Sequence, residues 1–400
     1  MNTPKLRFKE FNDESYRKDI LKNIISYIAD NRGKNPDYYL DSGIPVIDNF
    51  MIQNQGYPDL SRANRYIDDN IYENFIRKAI EYNDTLITLV GNGIGNICLT
   101  PKEKCVIIQN TLGLRTNKFN DKKYLYHLLT YKNSEIKKLD RGMAQPSIRQ
   151  DELLKLEVTI PNINEQLKIS NFLSLLDKKI ELQFKKIEDL KLFKKGLIDK
   201  VIDNLTKYKE IQLGELGETY SGLSGKTKED FEKGESHYIP FVAILNNKIN
   251  TNLLPIVKID KNETQNEVRQ YDLFFNTSSE TVNEVGLCST LNNDIKNTYL
   301  NSFCFGYRIR NLKEINNEYL NILLHSSIFR KKISVLGQGF TRVNISKNKL
   351  MEIKVLVPSY REQLKIVSII NMESNKLSFE ENKLLKLQEF KKGFMQSMFV

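Results

Sequence analysis

Two long segments of the chain carry apolar residues at helical spacing, and the shorter runs between them carry strand-like patterns. After Pro161 and again after Pro358, a polar residue is followed three positions later by glutamate, which is typical of a helix start. One heptad frame then holds for about 40 residues in each segment, or roughly 60 Å of helix. The predicted seam residues are Leu173, Leu176, Ile180, Ile187, Leu190 and Leu197 in the first helix, and Ile370, Leu377, Leu384, Leu387 and Phe394 in the second.

The two helical segments are copies of one another. An offset of 197 residues aligns 142–202 with 339–399 without a gap and superimposes PNINEQLKI on PSYREQLKI and one FKKG run on another. The same offset aligns the polar residues within the two seams, Gln183 with Glu380 and Lys194 with Lys391. Weaker matches upstream keep the same order, so the sequence predicts a tandem duplication of a unit of about 200 residues.

The segments that precede the helices combine short strand patterns with turns and a few helices, which predicts an α+β fold for each body. Strands are predicted at 43–47, 84–90, 96–100, 105–110, 238–245, 271–277 and 302–310, and helices at 72–81, 122–129 and 317–335. The predicted order is a first body (1–160), a long helix (161–204), a second body (205–357) and a second long helix (358–400). Because matched seams favour pairing of the two helices, we expect an antiparallel coiled coil with a body at each end.

Composition narrows the class of protein. Hydrophobic residues make up 40% of the chain and aromatic residues 10%, which is typical of a globular protein. No apolar run has membrane-spanning length and no leader pattern is present, so we expect a cytoplasmic protein without a membrane partner. The four cysteines show no metal or redox spacing, which predicts free thiols. The formal net charge of +10 permits nucleic acid as a partner.

Sequence signatures of catalysis are missing from both bodies. The GNGIG run at 91–95 leads into a strand pattern rather than a helix, so it predicts a turn and not a cofactor site. The three histidines lie far apart, which predicts no metal site in this chain. Two variable bodies on matched helices favour recognition over catalysis. A protein scaffold without DNA contacts remains an alternative, as does a self-contained methyltransferase or nuclease.

The sequence resembles the specificity subunit of type I restriction–modification enzymes. The resemblance rests on the helix starts at 161–169 and 358–366, the two FKKG runs, and the preceding segments GMAQPSI (142–148) and GQGFTRVNI (339–345). It implies two target-recognition domains that read a split, asymmetric site in double-stranded DNA, with a gap set by the paired helices. It also implies two modification subunits that bind S-adenosylmethionine and methylate adenine, and restriction subunits that use ATP and Mg²⁺. The chain itself would then bind no cofactor and have no active site.

Polar loops ahead of the last strand of each body are the first candidates for DNA contacts, because major-groove readout uses arginine, amide and hydroxyl side chains. An ordinary solvated loop is the alternative for each residue. Since the bodies differ in sequence, we expect the two half-sites to differ. The first candidates are Arg141, Gln145, Ser147, Gln338, Thr341 and Arg342, and the second are Asn92, Thr277 and Ser278.

Overall fold

The computed structural model describes residues 3–33, 35–53, 56–142, 144–260, 262–339 and 341–400. The chain divides into two compact units, one formed by Met1–Lys186 with Glu380–Val400 and the other by Ile187–Phe379. Each unit therefore contains one body together with a segment of both long helices.

The first unit contains the strands β1 (Arg17–Ile20), β2 (Ile25–Ala29), β3 (Ile44–Pro45), β4 (Tyr66–Ile67), β5 (Thr85–Thr88), β6 (Ile97–Leu99), β7 (Thr111–Thr116) and β8 (Glu157–Ile160). The unit is built on four of these strands, which form an antiparallel sheet with the order β2-β7-β5-β6. Its helices are α1 (Leu21–Ile24), α2 (Asp69–Phe75), α3 (Lys122–Tyr131), α4 (Asn133–Lys137), α5 (Gln150–Leu153) and the first part of α6 (Ile163–Asp203).

Both faces of this sheet are covered by other parts of the unit. Because side chains alternate between the two faces of a strand, neighbouring residues of β5 pack in different cores. Ile87 of β5 packs in one core with Leu125 and Leu128 of α3. The adjacent Leu86 packs in a separate core on the other face, with Ile47 and Ile107. All four residues of β5 are buried, which explains why its sequence is a continuous apolar and threonine run.

The second unit contains the strands β9 (Tyr208–Gln212), β10 (Gly217–Ser221), β11 (Phe231–Ile239), β12 (Ile256–Val257), β13 (Leu273–Asn276), β14 (Ser278–Ser279), β15 (Cys288–Thr290), β16 (Thr298–Leu300), β17 (Cys304–Ile309), β18 (Gly337–Gln338), β19 (Val343–Ile345) and β20 (Lys354–Pro358). The unit repeats the plan of the first, with a four-stranded antiparallel sheet of order β10-β17-β13-β15. Its helices are α7 (Leu213–Leu216), α8 (Phe241–Leu245), α9 (Asn317–His325), α10 (Ser327–Ser334), α11 (Lys347–Met351) and part of α12 (Tyr360–Met398). Phe275 packs against α9 on one face of the sheet. The adjacent Phe274 packs in a separate core on the opposite face, as in the first unit.

A buried ion pair recurs at the same place in both sheets. In the first unit the Arg115 guanidinium lies 2.8 Å from the carboxylate of Asp84, and in the second Arg308 lies 2.7 Å from Asp272. Each aspartate is only 1% exposed. The shared pair supports the duplication predicted from the helices, in bodies whose sequences have diverged.

The long helices are antiparallel, as predicted. In the first unit the ring of Phe172 lies 5.0 Å from that of Phe394, and further along the pair the amide of Gln183 donates to the carboxylate of Glu380 at 2.7 Å. Residue numbers thus rise on α6 as they fall on α12. In the second unit, apolar residues of both helices pack in one core: Ile198 and Ile202 of α6, and Ile366, Val367 and Ile370 of α12. All eleven predicted seam residues are buried or half-buried.

The glutamine of the repeated Glu-Gln pair fastens each long helix to its body. Gln166, which is 1% exposed, donates from Nε2 to the Pro161 carbonyl at 2.9 Å and to Asn120 Oδ1 at 3.1 Å. Its Oε1 accepts from the N–H of Asp121, the N-cap residue of α3, at 3.0 Å. Gln363 repeats this arrangement in the second unit, with the carbonyls of Pro358 and Glu314 at 3.0 and 2.9 Å and the N–H of Asn316 at 2.8 Å.

The predicted helix starts are confirmed in their capping contacts. The N–H of Glu165 donates to Asn162 Oδ1 at 2.9 Å, and the N–H of Glu362 donates to Ser359 Oγ at 3.3 Å. The carboxylate of Glu165 does not complete a reciprocal capping box. It is fully buried and binds the guanidinium of Arg7 at 2.7 Å.

Several predicted elements of the bodies are wrong in extent or type. The strand predicted over 238–245 ends at Ile239, and Phe241–Leu245 forms α8 after Pro240. A short apolar run does not distinguish strand from helix, which explains the error. The helix predicted over 317–335 divides at Ser326, whose hydroxyl caps α10, and the one over 72–81 ends at Phe75. The segment 105–110 was predicted as a strand, but Val106 forms an isolated β-bridge with Val46 there instead.

Strand β7 was not predicted because Gly113 lies in its middle, and glycine weakens a strand pattern. A Cβ atom at this position would lie 2.9 Å from Ile80 Cγ2 and 3.1 Å from the Ala29 Cβ. Glycine therefore permits close packing there. In the described part of the chain, no helix is long and apolar enough to span a membrane.

Candidate nucleic-acid interface

Three loops of the first unit meet where β5 ends. The N–H of Leu89 donates to the carbonyl of Asn110 at 2.7 Å, and the N–H of Ile148 donates to the carbonyl of Leu89 at 2.8 Å. The N–H of Gly91 bonds to the carbonyl of Pro146 at 2.9 Å. Residues 89–95, 108–110, 140–142 and 144–148 therefore form one surface, which we name the first loop cluster. It brings together the candidates Asn92, Arg141, Gln145 and Ser147.

These four candidates differ in exposure and in whether they already have a bonding partner within the protein. Arg141 is exposed, but its Nη2 lies 2.6 Å from the carboxylate of Glu152. Ser147 is half-buried and holds the turn, because its N–H donates to Asp140 Oδ1 at 2.8 Å. The side chains of Asn92 and Gln145 are exposed and make no hydrogen bond to the described residues. Of the four candidates, these two therefore present free amides.

Equivalent loops meet in the second unit where β13 ends. The N–H of Thr277 donates to the carbonyl of Phe303 at 3.0 Å, and the N–H of Ile345 donates to the carbonyl of Thr277 at 2.9 Å. Strand β14 pairs with β19 through Ser278 and Asn344, and β18 completes a small three-stranded sheet. We name this surface, formed by 277–279, 301–303, 337–339 and 341–345, the second loop cluster. It brings together Thr277, Ser278, Gln338, Thr341 and Arg342.

The candidates in the second loop cluster fall into two groups. Thr277 donates its hydroxyl to the Phe303 carbonyl at 2.8 Å, and Ser278 is only 3% exposed. These two residues hold the loops together and offer little surface. Gln338, Thr341 and Arg342 are exposed, and the three lie on or between β18 and β19.

The sequence patterns did not single out Asn110 of the first loop cluster or Phe303 of the second. They occupy the same place in the two units, because each carbonyl accepts from the residue that follows the equivalent strand, Leu89 or Thr277. Asn110 has a φ of 62°, a conformation in which asparagine is enriched. The ring of Phe303 is 51% exposed and lies under the guanidinium of Arg342, 5.2 Å from its centroid. For Asn110, the available sequence signal was an asparagine at the end of a predicted strand (105–110).

The buried titratable groups away from the loop clusters are structural. The four cysteines are buried free thiols, and burial raises the pKa of Cys105, Cys288 and Cys304 to about 12. His127 is fully buried, and desolvation lowers its pKa well below the usual value. Within the described ranges, no cluster of three or more histidine, cysteine, aspartate or glutamate side chains could hold a metal ion.

Comparison with known proteins gives a consistent result across both halves. The sequence profile of the type I restriction modification DNA specificity domain matches residues 22–192 and again 206–389. A curated relative, the type I restriction enzyme MjaVIII specificity subunit of Methanocaldococcus jannaschii, is 24% identical over 94% of this chain and 90% of its own length.

Solved structures share the fold over the whole length. The S subunit of a type I restriction–modification system from M. genitalium aligns with a TM-score of 0.58 at 18% identity, covering 100% of this chain and 99% of that one. A chain from a structural study of type I complex assembly and conformational transition aligns with a TM-score of 0.58 at 16% identity, covering 96% and 97%. The chain therefore belongs to the type I restriction–modification DNA specificity family and carries two copies of its domain in tandem.

Proposed function

We propose that this chain is the DNA-recognition subunit of a type I restriction–modification complex and that each loop cluster reads one part of a split DNA site. The observation that carries this proposal is the presence of one loop geometry in two copies with different side chains. Gln145 in the first cluster corresponds to Arg342 in the second, and Asn110 corresponds to Phe303. Two loop clusters with the same backbone geometry but different side chains are suited to recognising two different half-sites.

The target-recognition domains in this proposal are residues 1–160 and 205–357, and the spacer helices are 161–204 and 358–400. The antiparallel contacts between α6 and α12 support a role for the helix pair in setting the gap between half-sites. A fixed gap requires a fixed register, and the buried contact of Gln183 with Glu380 supplies a polar register point within the apolar seam.

Methylation and cleavage are assigned to other subunits. Two modification subunits would dock on this chain and supply S-adenosylmethionine-dependent adenine methylation, and restriction subunits would supply ATP- and Mg²⁺-dependent translocation and cutting. Membership of the specificity family supports this division of labour, as does the likeness in fold to a chain studied within a type I complex. This chain would then determine where the complex acts.

Methylome sequencing with and without the gene tests the proposal. We expect a split motif with a fixed gap to be methylated at adenine in the parent strain, lost on deletion, and restored by the wild-type gene. Purified modification subunits should methylate that motif only when this chain is added. An unchanged methylome, together with a partner complex that assembles normally, would instead indicate a protein scaffold.

A further inference from the structure

We propose that the place occupied by Asn110 and Phe303 is a base-contacting position, at which the two units read different purines. Phe303 with Arg342 would read a guanine in the second half-site, and the amides around Asn110 would read an adenine in the first. This inference rests on the proposed function and adds to it the residues and base classes involved.

The positions of Asn110 and Phe303 are equivalent in backbone hydrogen bonding as well as in their order along the chain. Besides the matching bonds at Leu89 and Thr277, both units close the neighbouring loop by the same tight turn. A Cβ atom on Gly142 would lie 1.8 Å from the carbonyl oxygen of Gln145, and one on Gly339 would lie 2.2 Å from that of Arg342. Because no larger residue fits either turn, the backbone presents Gln145 and Arg342 in the same manner, and Arg342 lies beside Phe303.

In the second unit, the position of Phe303 holds an exposed guanidinium, that of Arg342. The ring of Phe303 is exposed, and the Arg342 guanidinium lies above it at 5.2 Å from the centroid. No carboxylate in the described residues forms an ion pair with Arg342, whereas Arg141 of the first loop cluster is paired with Glu152. Stacking on a ring restricts the guanidinium plane and leaves its edge free to donate. A free, oriented guanidinium is the group that donates two hydrogen bonds to O6 and N7 of guanine.

In the first unit, amide side chains surround the equivalent position, that of Asn110. A cavity of about 370 Å³ beside Val90 is lined by Asn110 and by Arg32, Gly33, Asn35 and Gln109. The side chains of Asn35, Gln109 and Asn110 make no hydrogen bond to the described residues. Arg32 is not similarly free, because it pairs with Asp30 at 2.7 Å and bonds to Gln150 at 3.2 Å. Free amides carry a donor and an acceptor side by side, which matches N6 and N7 of adenine.

The test uses the complete complex and its methylome, with substitutions at the two equivalent places. Arg342→Gln and Phe303→Ala should each relax one guanine position of the second half-site by at least tenfold in methylation preference and leave the first half-site intact. Phe303→Tyr keeps the aromatic platform and should retain the guanine. Asn110→Asp tolerates the positive φ but replaces the amide donor by a second acceptor, so one adenine position of the first half-site should lose its preference. Arg269→Gln, an exposed substitution at the opposite end of β13, is the matched control and should change nothing.

The outcomes separate this inference from the proposed function. If the wild-type chain directs a split motif and Arg342→Gln and Phe303→Ala leave that motif unchanged, the inference is wrong and the proposed function stands. If the wild-type chain directs no motif, the proposed function itself fails. If Phe303→Ala folds with the wild-type circular dichroism spectrum but no longer retains modification subunits in a pull-down, the exposed ring is a protein contact, and the inference is overturned.

Discussion

Removing the buried amide of Gln166 or Gln363 should destabilise one unit at a time. Each side chain makes three hydrogen bonds that join the end of a strand, the start of a long helix and the N-cap of the helix on the sheet. We choose methionine as the replacement, because it has a similar volume and cannot make these bonds. The backbone N–H of Asp121 or Asn316 and the carbonyl of the preceding proline then lose a partner in a buried site.

The expected magnitude follows from the number of bonds. At about 1 kcal/mol for each buried hydrogen bond, the loss of three should lower the free energy of unfolding by about 3 kcal/mol. In a unit of this size, that loss corresponds to a decrease of roughly 6–12 °C in melting temperature. Because each glutamine makes three hydrogen bonds, two of them to equivalent backbone groups, both substitutions should cost similar amounts.

Hydrogen exchange with mass spectrometry distinguishes the two units within the full chain. Gln166→Met should speed exchange in α3 and at the start of α6, whereas Gln363→Met should speed it in α9 and at the start of α12. The matched controls are Asn164→Ala and Arg361→Ala, exposed residues two positions earlier on the same helices, which should stay within about 0.5 kcal/mol of wild type. Glutamine variants that cost no more than these controls, with unchanged exchange, would refute the proposed role of the repeated glutamine.

Three further predictions concern the helix pair and one buried histidine. Gln183→Leu should lower the melting temperature because Glu380 then loses its buried amide partner, and adding Glu380→Leu should recover part of the loss; a double variant less stable than the single would contradict this. Because burial holds the pKa of His127 well below 6.5, the unfolded chain takes up a proton that the native chain does not as pH falls below 6.5. The free energy of unfolding should therefore fall by about 1.4 kcal/mol per pH unit from this group, and urea titrations of His127→Gln at pH 7 and 5.5 should show a smaller pH dependence than wild type. Matched seven-residue insertions after Gln183 and Glu380 preserve the heptad phase and add roughly 10 Å, so the gap in the methylated motif should grow by up to about three base pairs; full activity with an unchanged gap would show that the helices do not set it.

The long helices were predictable from the sequence because their signal is long and repeated. A heptad frame maintained over about 40 residues leaves little ambiguity, and the second copy confirms the first. The contacts at their far ends were not predictable. Met395 and Met398 of α12, together with Phe399 directly after it, complete the core of the first unit, which depends on the antiparallel pairing rather than on any local pattern.

The bodies were predicted less well because their elements are short. The four residues of β5 and β13 stand out as apolar runs, but α8 is an equally short apolar run and forms a helix. The loop clusters depend on backbone bonds between segments distant in sequence, such as Leu89 with Asn110. For this reason the sequence selected Gln145 and Arg342 from the repeated turn but missed Asn110 and Phe303, which belong to other loops of the same clusters.

The central claim is that the two bodies read separate parts of one DNA site. Replacing residues 1–160 by the corresponding body of another family member, while keeping both long helices, tests it most directly when the methylome of the resulting strain is sequenced. Circular dichroism and retention of the modification subunits would establish that the hybrid folds and assembles. We predict that one half of the methylated motif changes to that of the donor, while the other half and the gap stay the same. A folded, assembled hybrid whose motif changed in both halves, or in neither, would contradict the account.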